Sequence, residues 1–197
     1  MYPSVTAIRR TVAPSVTPIS LAEVKAHMRV SGADDDTVIT GMIGAAVAMV
    51  DGEGTLGRAM ITQTWAQWVS QSPGWVRLSM SPFQALVSVE FYDAAGALQT
   101  ATLDHFETRL HGDFAICKPK EDREWPTADT RQDAIKITYR AGFGDAGTDV
   151  PDGIRHALLM IIGNFYENRE SVSATSFVPV PMAVEMLLNN ERVGWAG

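Results

Sequence analysis

The sequence predicts an α+β fold: a discontinuous α-helical bundle interrupted by a β-rich region, with extended arms at both termini. Three observations carry this expectation. Two helix-forming stretches stand near the start of the chain, a third stands near its end, and Gly/Pro-punctuated strand-like sequence separates them. Residues 18–58 and 150–170 are thereby assigned to the helical core and 59–149 to an inserted β-rich region. Residues 1–17 and 171–197 become the N-terminal and C-terminal arms.

The first helix has a complete start signal in Pro18-Ile19-Ser20-Leu21-Ala22-Glu23-Val24. Ser20 caps, Glu23 follows three residues later to close a capping box, and Ile19 and Val24 form the hydrophobic staple. This helix is expected over about Leu21 to Val30, ending at Ser31-Gly32. Asp34-Asp35-Asp36 opens the second, where carboxylates meet the positive end of the helix dipole. Val38, Ile39, Met42, Ile43, Ala46, Val47 and Val50 supply its buried stripe, and close packing against another helix would explain Gly41 and Gly44. The third begins at Val150-Pro151-Asp152, with proline where a missing N–H costs nothing. Ile154, Ala157, Leu158, Ile161, Ile162 and Phe165 then form one apolar face.

In the β-rich region, Ile61 to Val69 is strand-prone with imperfect alternation, and Trp75 to Leu78 returns the chain after a turn. Val87, Val89 and Phe91 alternate with Ser88 and Glu90, as in a half-buried strand. Asp93-Ala94-Ala95-Gly96 signals a hairpin leading into Ala97 to Leu103. Further strands are expected at Phe106 to Leu110, Phe114 to Lys118 and Ala134 to Arg140. Pro119 to Arg131 reads as a solvated charged loop carrying Trp125-Pro126. Beyond Ser171 the chain reads as an extended arm, with a short apolar helix from Met182 to Leu188.

The bulk properties exclude several classes. A length of 197 residues with 46% hydrophobic content supports a real core. Sixteen basic against twenty-three acidic residues give a net charge of −7, the wrong sign for a groove that grips nucleic acid by neutralising phosphates. A single cysteine, Cys117, excludes an internal disulfide and reads as a buried strand residue. The longest apolar stretch, Ala157 to Gly163, falls far short of the roughly 20 residues of a membrane span, so no membrane partner is expected.

No catalytic motif emerges, and no cofactor or metal is expected. The acidic triplet lacks the alternating ligands, central glycine and distal glutamate of a calcium loop. Ala141 to Gly147 is glycine-rich between a strand and a helix, but has neither a Walker lysine nor dinucleotide-loop spacing, and Asp145 and Asp149 would repel phosphate. Asp104, His105, His111 and Asp113 form the one cluster suited to a metal-dependent hydrolase. Turn chemistry at a hairpin is the preferred reading of it. A monomeric binding module is the other competing class.

The ordered landmarks resemble those of tailed-bacteriophage head–tail connector (adaptor) proteins, including their prophage and gene-transfer-agent relatives. They comprise Pro18 to Val30 with the Asp34–Asp36 triplet, Gly57-Arg58-Ala59-Met60-Ile61-Thr62-Gln63-Thr64-Trp65, and Trp125-Pro126. Tyr139 to Gly144, Val150 to Arg155 and Phe165 to Glu170 follow, so the similarity spans about residues 18–170. It implies a non-enzymatic structural protein of a virion or phage-like particle, present in the host cytoplasm before assembly. Its copies would form a ring, usually a dodecamer, beneath the portal protein. A second face would meet a downstream neck or tail stopper or terminator, and DNA would pass through the lumen without sequence-specific binding.

An acidic lumen would keep DNA from adhering. Subunit contacts are expected at charges flanking the last core helix, Arg155 at one end and Arg169-Glu170 at the other. The C-terminal arm is expected to dock on the portal or a neighbouring subunit through Phe177, Val178, Pro179, Val180, Pro181, Leu187, Leu188 and Trp195. Folding of that arm onto its own core is the open alternative.

Overall fold

The computed structural model describes residues 5–70, 74–112, 114–168 and 182–192. The chain is α+β, and it divides into two compact units. A helical unit takes residues 15–61 and 143–197; a sheet unit takes residues 1–14 and 62–142.

The helical unit starts with α1, Leu21–Met28. Its capping box forms as the sequence expects: the Glu23 N–H donates to Ser20 Oγ at 3.2 Å, and the Ser20 N–H donates to Glu23 Oε2 at 2.7 Å. Ile19 and Val24 are both buried beside it. The helix ends earlier than expected, at Arg29, whose left-handed φ of 58° lets the Val30 N–H donate back to the Lys25 carbonyl.

Helix α2, Asp36–Val50, buries Ile39, Ile43, Ala46 and Val50, with Met42 and Val47 partly covered. Two expectations are corrected here. Val38 is exposed, and Gly41 and Gly44 have nothing within 4 Å of where a Cβ would stand. The buried positions recur at three- and four-residue intervals on one face, which turns both glycines away from it. Helix α3, Asp152–Glu167, buries Ile154, Ala157, Leu158, Ile161 and Ile162, with Phe165 partly buried. Helix α4, Met182–Glu191, adds Val184 and Leu188 to the same core.

The sheet unit holds two antiparallel sheets. Eight strands run in chain order as β1 Val5–Val12, β2 Gln63–Val69, β3 Val76–Leu78, β4 Phe83–Tyr92, β5 Leu98–Thr100, β6 Phe106–His111, β7 Phe114–Pro119 and β8 Ile135–Ala141. One sheet has the order β1-β2-β8-β4-β5, the other β3-β7-β6.

Three sequence expectations change. Part of the N-terminal arm is a strand, β1, laddered to β2 from Val5↔Val69 to Val12↔Thr64. The chain after β2 does not return along it; β3 pairs with β7 in the other sheet. Alternation in β4 fails at Val87, which is 43% exposed while Val89 is fully buried. A register shift between Leu86 and Ser88 resets the pleat there. The imperfect alternation of β2 has a different cause: five of its seven residues are buried, so both faces are covered. The Asp93–Gly96 hairpin forms as expected, with Gly96 at a φ of 77° and Asp93 Oδ1 accepting the Ala95 and Ala97 N–H groups at 3.0 Å.

A polar pin organises the sheet unit's interior. The buried Gln67 amide donates to the Arg77 carbonyl at 2.7 Å and accepts the Ser79 N–H at 3.0 Å. The Tyr139 hydroxyl accepts the Met80 N–H at 2.9 Å. Two side chains thereby satisfy the Arg77 carbonyl, within β3, and the Ser79 and Met80 N–H groups, which lie just beyond its last ladder pair.

Candidate functional site

Arg155, an expected subunit contact, makes ion pairs within its own chain. It lies in the first turn of α3 with its side chain 21% exposed, and its guanidinium pairs with Glu23 on α1 and with Asp152 at 3.3 Å. The pair ties the α1 cap to the start of α3. Glu23 is held below its usual carboxylate range by the Ser20 hydroxyl first, then by the Ser20 N–H and the Arg155 charge.

The C-terminal candidates divide. Phe177, Val178, Pro179, Val180, Pro181, Trp195, Arg169 and Glu170 lie outside the described residues. Leu188 is only 4% exposed and Leu187 packs partly against the same core, the arrangement that the alternative of an arm folded onto its own core expects at these two positions. Their side chains follow the α4 face that carries Val184. The exposed face of α4 instead carries Met182 and Met186, 77% and 65% exposed. Sequence reasoning missed that face, although its four-residue spacing was legible.

The residues of the hydrolase alternative are spread along β6. His105 precedes the strand and His111 ends it, and six steps of extended chain separate them by about 20 Å. Asp113 lies outside the described residues. His111 stacks on Phe114 with ring centroids 5.5 Å apart, and the Arg77 guanidinium lies 4.2 Å from the same ring's centroid. Cys117 is fully buried, and that burial pushes its thiol up to about 12, far from the thiolate needed of a nucleophile.

The other sequence candidates serve the fold. In the acidic triplet, Asp36 pairs with Lys25 and Asp35 accepts the Tyr166 hydroxyl at 2.7 Å. Asp35, at the N-cap of α2, makes no side-chain capping hydrogen bond. In the glycine-rich connection, Asp149 accepts the Ala146 N–H at 2.9 Å, and a Cβ on Gly147 would stand 2.7 Å from the Pro18 carbonyl oxygen. The Asp149 side chain and the Pro18 backbone close off the loop. Trp125 departs from the expected solvated loop: it is buried, with its ring 5.2 Å from that of Phe106. It anchors an otherwise charged segment.

Several large apolar side chains stay exposed. Val38 and Met49 on α2, and Val5 and Val12 on β1, are each more than 40% exposed. Leu98 on β5 and Leu110 on β6 are 53% and 72% exposed. No helix among the described residues is long and apolar enough to cross a membrane.

No protein-family model matches this chain, and no curated protein does. Solved structures match its fold closely. A chain of the neck of an empty gene transfer agent (GTA) particle, computed with C6 symmetry, superposes with a TM-score of 0.75 at 18% identity. A chain of the native GTA virion gives 0.74 at 20% identity. A chain of the native GTA neck, computed with C12 symmetry, gives 0.65 at 17% identity. Each match covers 95% of this chain and 95% of the other. The shared property is the fold, a mixed α+β architecture found in the necks of such particles.

Proposed function

We propose that this chain is a structural head–tail connector, an adaptor of a tailed-phage or GTA-like particle. It forms a ring beneath the portal and joins the capsid vertex to the neck or tail. The observation that supports this most is the fold likeness to GTA neck chains over nearly the full length of both partners. The order of sequence landmarks from Pro18 to Glu170 points the same way. Neck structures computed with sixfold and twelvefold symmetry fit a dodecameric ring, in which each subunit meets its neighbours through two different faces.

In this reading the partners are the portal, neighbouring copies of the chain and a downstream stopper or terminator. DNA passes through the lumen, and the net charge of −7 favours a wall to which it does not adhere. The protein acts by contact and carries no catalytic task. The C-terminal segment from Phe177 to Pro181, with Trp195, docks on the portal or a neighbour, while Leu188 stays in the core.

Co-expression with the cognate portal and imaging of the vertex tests the reading. The expected density is a closed ring of this chain directly under the portal. One or two copies per vertex, or none, would overturn it. Phe177→Asp with Val180→Asp sharpens the arm's role: the variant should melt as the parent does yet be lost from portal-containing particles.

A further inference from the structure

Strand β1 is anomalous in its own sheet. Its neighbour β2 is covered on both faces, but seven of the eight residues from Val5 to Val12 are exposed and Ile8 is only half-buried. Side chains alternate between the two faces of a strand, so both faces of β1 stand open. It is held by its ladder to β2 and by short side-chain contacts. Thr6 Oγ donates to the Trp68 carbonyl at 3.2 Å, Thr11 Oγ to the Thr64 carbonyl at 3.2 Å, and Arg10 to Gln63 Oε1 at 3.2 Å. An eight-residue strand ordered with so little apolar burial gains little from its own chain.

The opposite rim of the same sheet is also open, and it has the complementary character. Strand β5 is exposed at all three residues, with Leu98 at 53%. The chain continues along β4, where the Ala101 N–H donates to the Val89 carbonyl, and then enters the short helical turn Leu103–His105. There Leu103 is 39% exposed and Asp104 is exposed. Asp93 lies at the other end of β5, in the β4–β5 turn, where the Ala95 and Ala97 N–H groups and the Gln99 amide hold its carboxylate. One rim therefore offers Val5, Val12, Arg9 and Arg10, and the other Leu98, Leu103, Asp93 and Asp104. Apolar side chains recur on both, and the charges are opposite. Five strands place the rims about 19 Å apart and facing opposite ways, as a head-to-tail cyclic contact requires.

We propose that the basic rim at β1 docks on the acidic rim at β5 and Leu103–Asp104 of a second copy, and that this is the subunit contact of the ring. The inference rests on the ring-forming reading and supplies the surfaces that reading leaves open. Arg9 is the central basic contact and Asp104 the central acidic one. The β1–β2 ladder shifts register between Val5 and Ala7 and between Arg10 and Val12. The competing explanation of Arg9 and these shifts is edge protection, in which charge and bulges keep the outer edge of the strand from pairing at all.

Charge reversal and cross-linking in portal-containing assemblies separate the possibilities. Arg9→Glu alone, or Asp104→Lys alone, should lower ring occupancy by about tenfold or more, because each sets like charges against each other across an interface. The combined swap should restore it. Arg9→Cys with Leu98→Cys, treated with a flexible bis-maleimide, should give a ladder of covalent oligomers, with little background because Cys117 is buried. Thermal melting of each variant guards against simple misfolding.

If wild-type rings form but the reversals leave occupancy unchanged and the cysteine pair gives no ladder, this contact is wrong while the ring-forming function stands. Aggregation of Arg9→Glu with undiminished rings overturns it in favour of edge protection. Absence of any wild-type ring on the portal rejects the function and this contact together.

Discussion

Among the described residues, the helical unit's buried positions are apolar apart from Asp51, whereas the sheet unit buries Gln63, Gln67 and Ser81 among its apolar side chains. The difference follows from backbone accounting. Helices satisfy their interior N–H and C=O groups within the segment, so apolar faces can meet with nothing left unpaired. Asp51 serves where the chain leaves α2, accepting the Met60 N–H at 2.8 Å. Short strands and bends leave more groups exposed to burial, and the sheet unit satisfies them with Gln67 and Tyr139. One unit is held mainly by apolar packing; the other depends in addition on a few polar pins.

The strongest way to break this comparison is at the helical core. Leu158→Ala should destabilise by roughly 2–5 kcal/mol, because a fully buried leucine leaves a cavity that its neighbours fill only in part. Ile161→Ala should fall in the same range. Chemical denaturation of both variants measures it, and near-parental midpoints would contradict the packing of α3 against α2 and α4.

Tyr139→Phe probes the sheet unit's pins. The ring remains, but the Met80 N–H loses its acceptor, so a cost of about 1–3 kcal/mol is expected. Burial also pushes the Tyr139 hydroxyl well above its ordinary value, so the group stays neutral through the working range. A loss below a few tenths of a kcal/mol would mean that Met80 finds another acceptor and that the pin is dispensable.

Smaller effects lie at the helix cap. Ser20→Ala should cost about 0.5–2 kcal/mol through loss of the α1 capping box. The Glu23 carboxyl, held low by Ser20 and then Arg155, implies a pH dependence of definite sign. Its contribution is present above the unfolded value of 4.5 and is lost as pH falls through the lower folded value. Acid titration of stability should show this loss in the parent and a weaker one in Glu23→Gln. The smallest change is expected at the β6 tip, where Leu110→Ala removes a side chain that is 72% exposed. It should stay within about 0.5 kcal/mol of the parent.

Local chemistry made much of this protein legible from its residues alone. Ser20 and Glu23 announce the α1 cap, Ile154 to Ile162 mark the buried face of α3, and Asp93 to Gly96 mark the hairpin. Each signal operates over a few residues, through capping, helical periodicity or turn geometry, and so survives without knowledge of the rest of the chain. The candidate interface was less legible. Charge and apolar character singled out Arg155 and Leu188, but neither property says which way a side chain faces.

Tertiary structure decided the remainder. Only the fold gives Leu188 to the core and Met186 to the surface, pairs Arg155 with Glu23, and places Gly41 and Gly44 on the open side of α2. It alone pairs β3 with β7 and adds Val5–Val12 to β2. A strand's partner and a helix's buried face are set by contacts between residues far apart in sequence, to which local propensity is blind. The sequence by itself determined where the helices and most strands form; the tertiary contacts determined which of their faces remain for a partner.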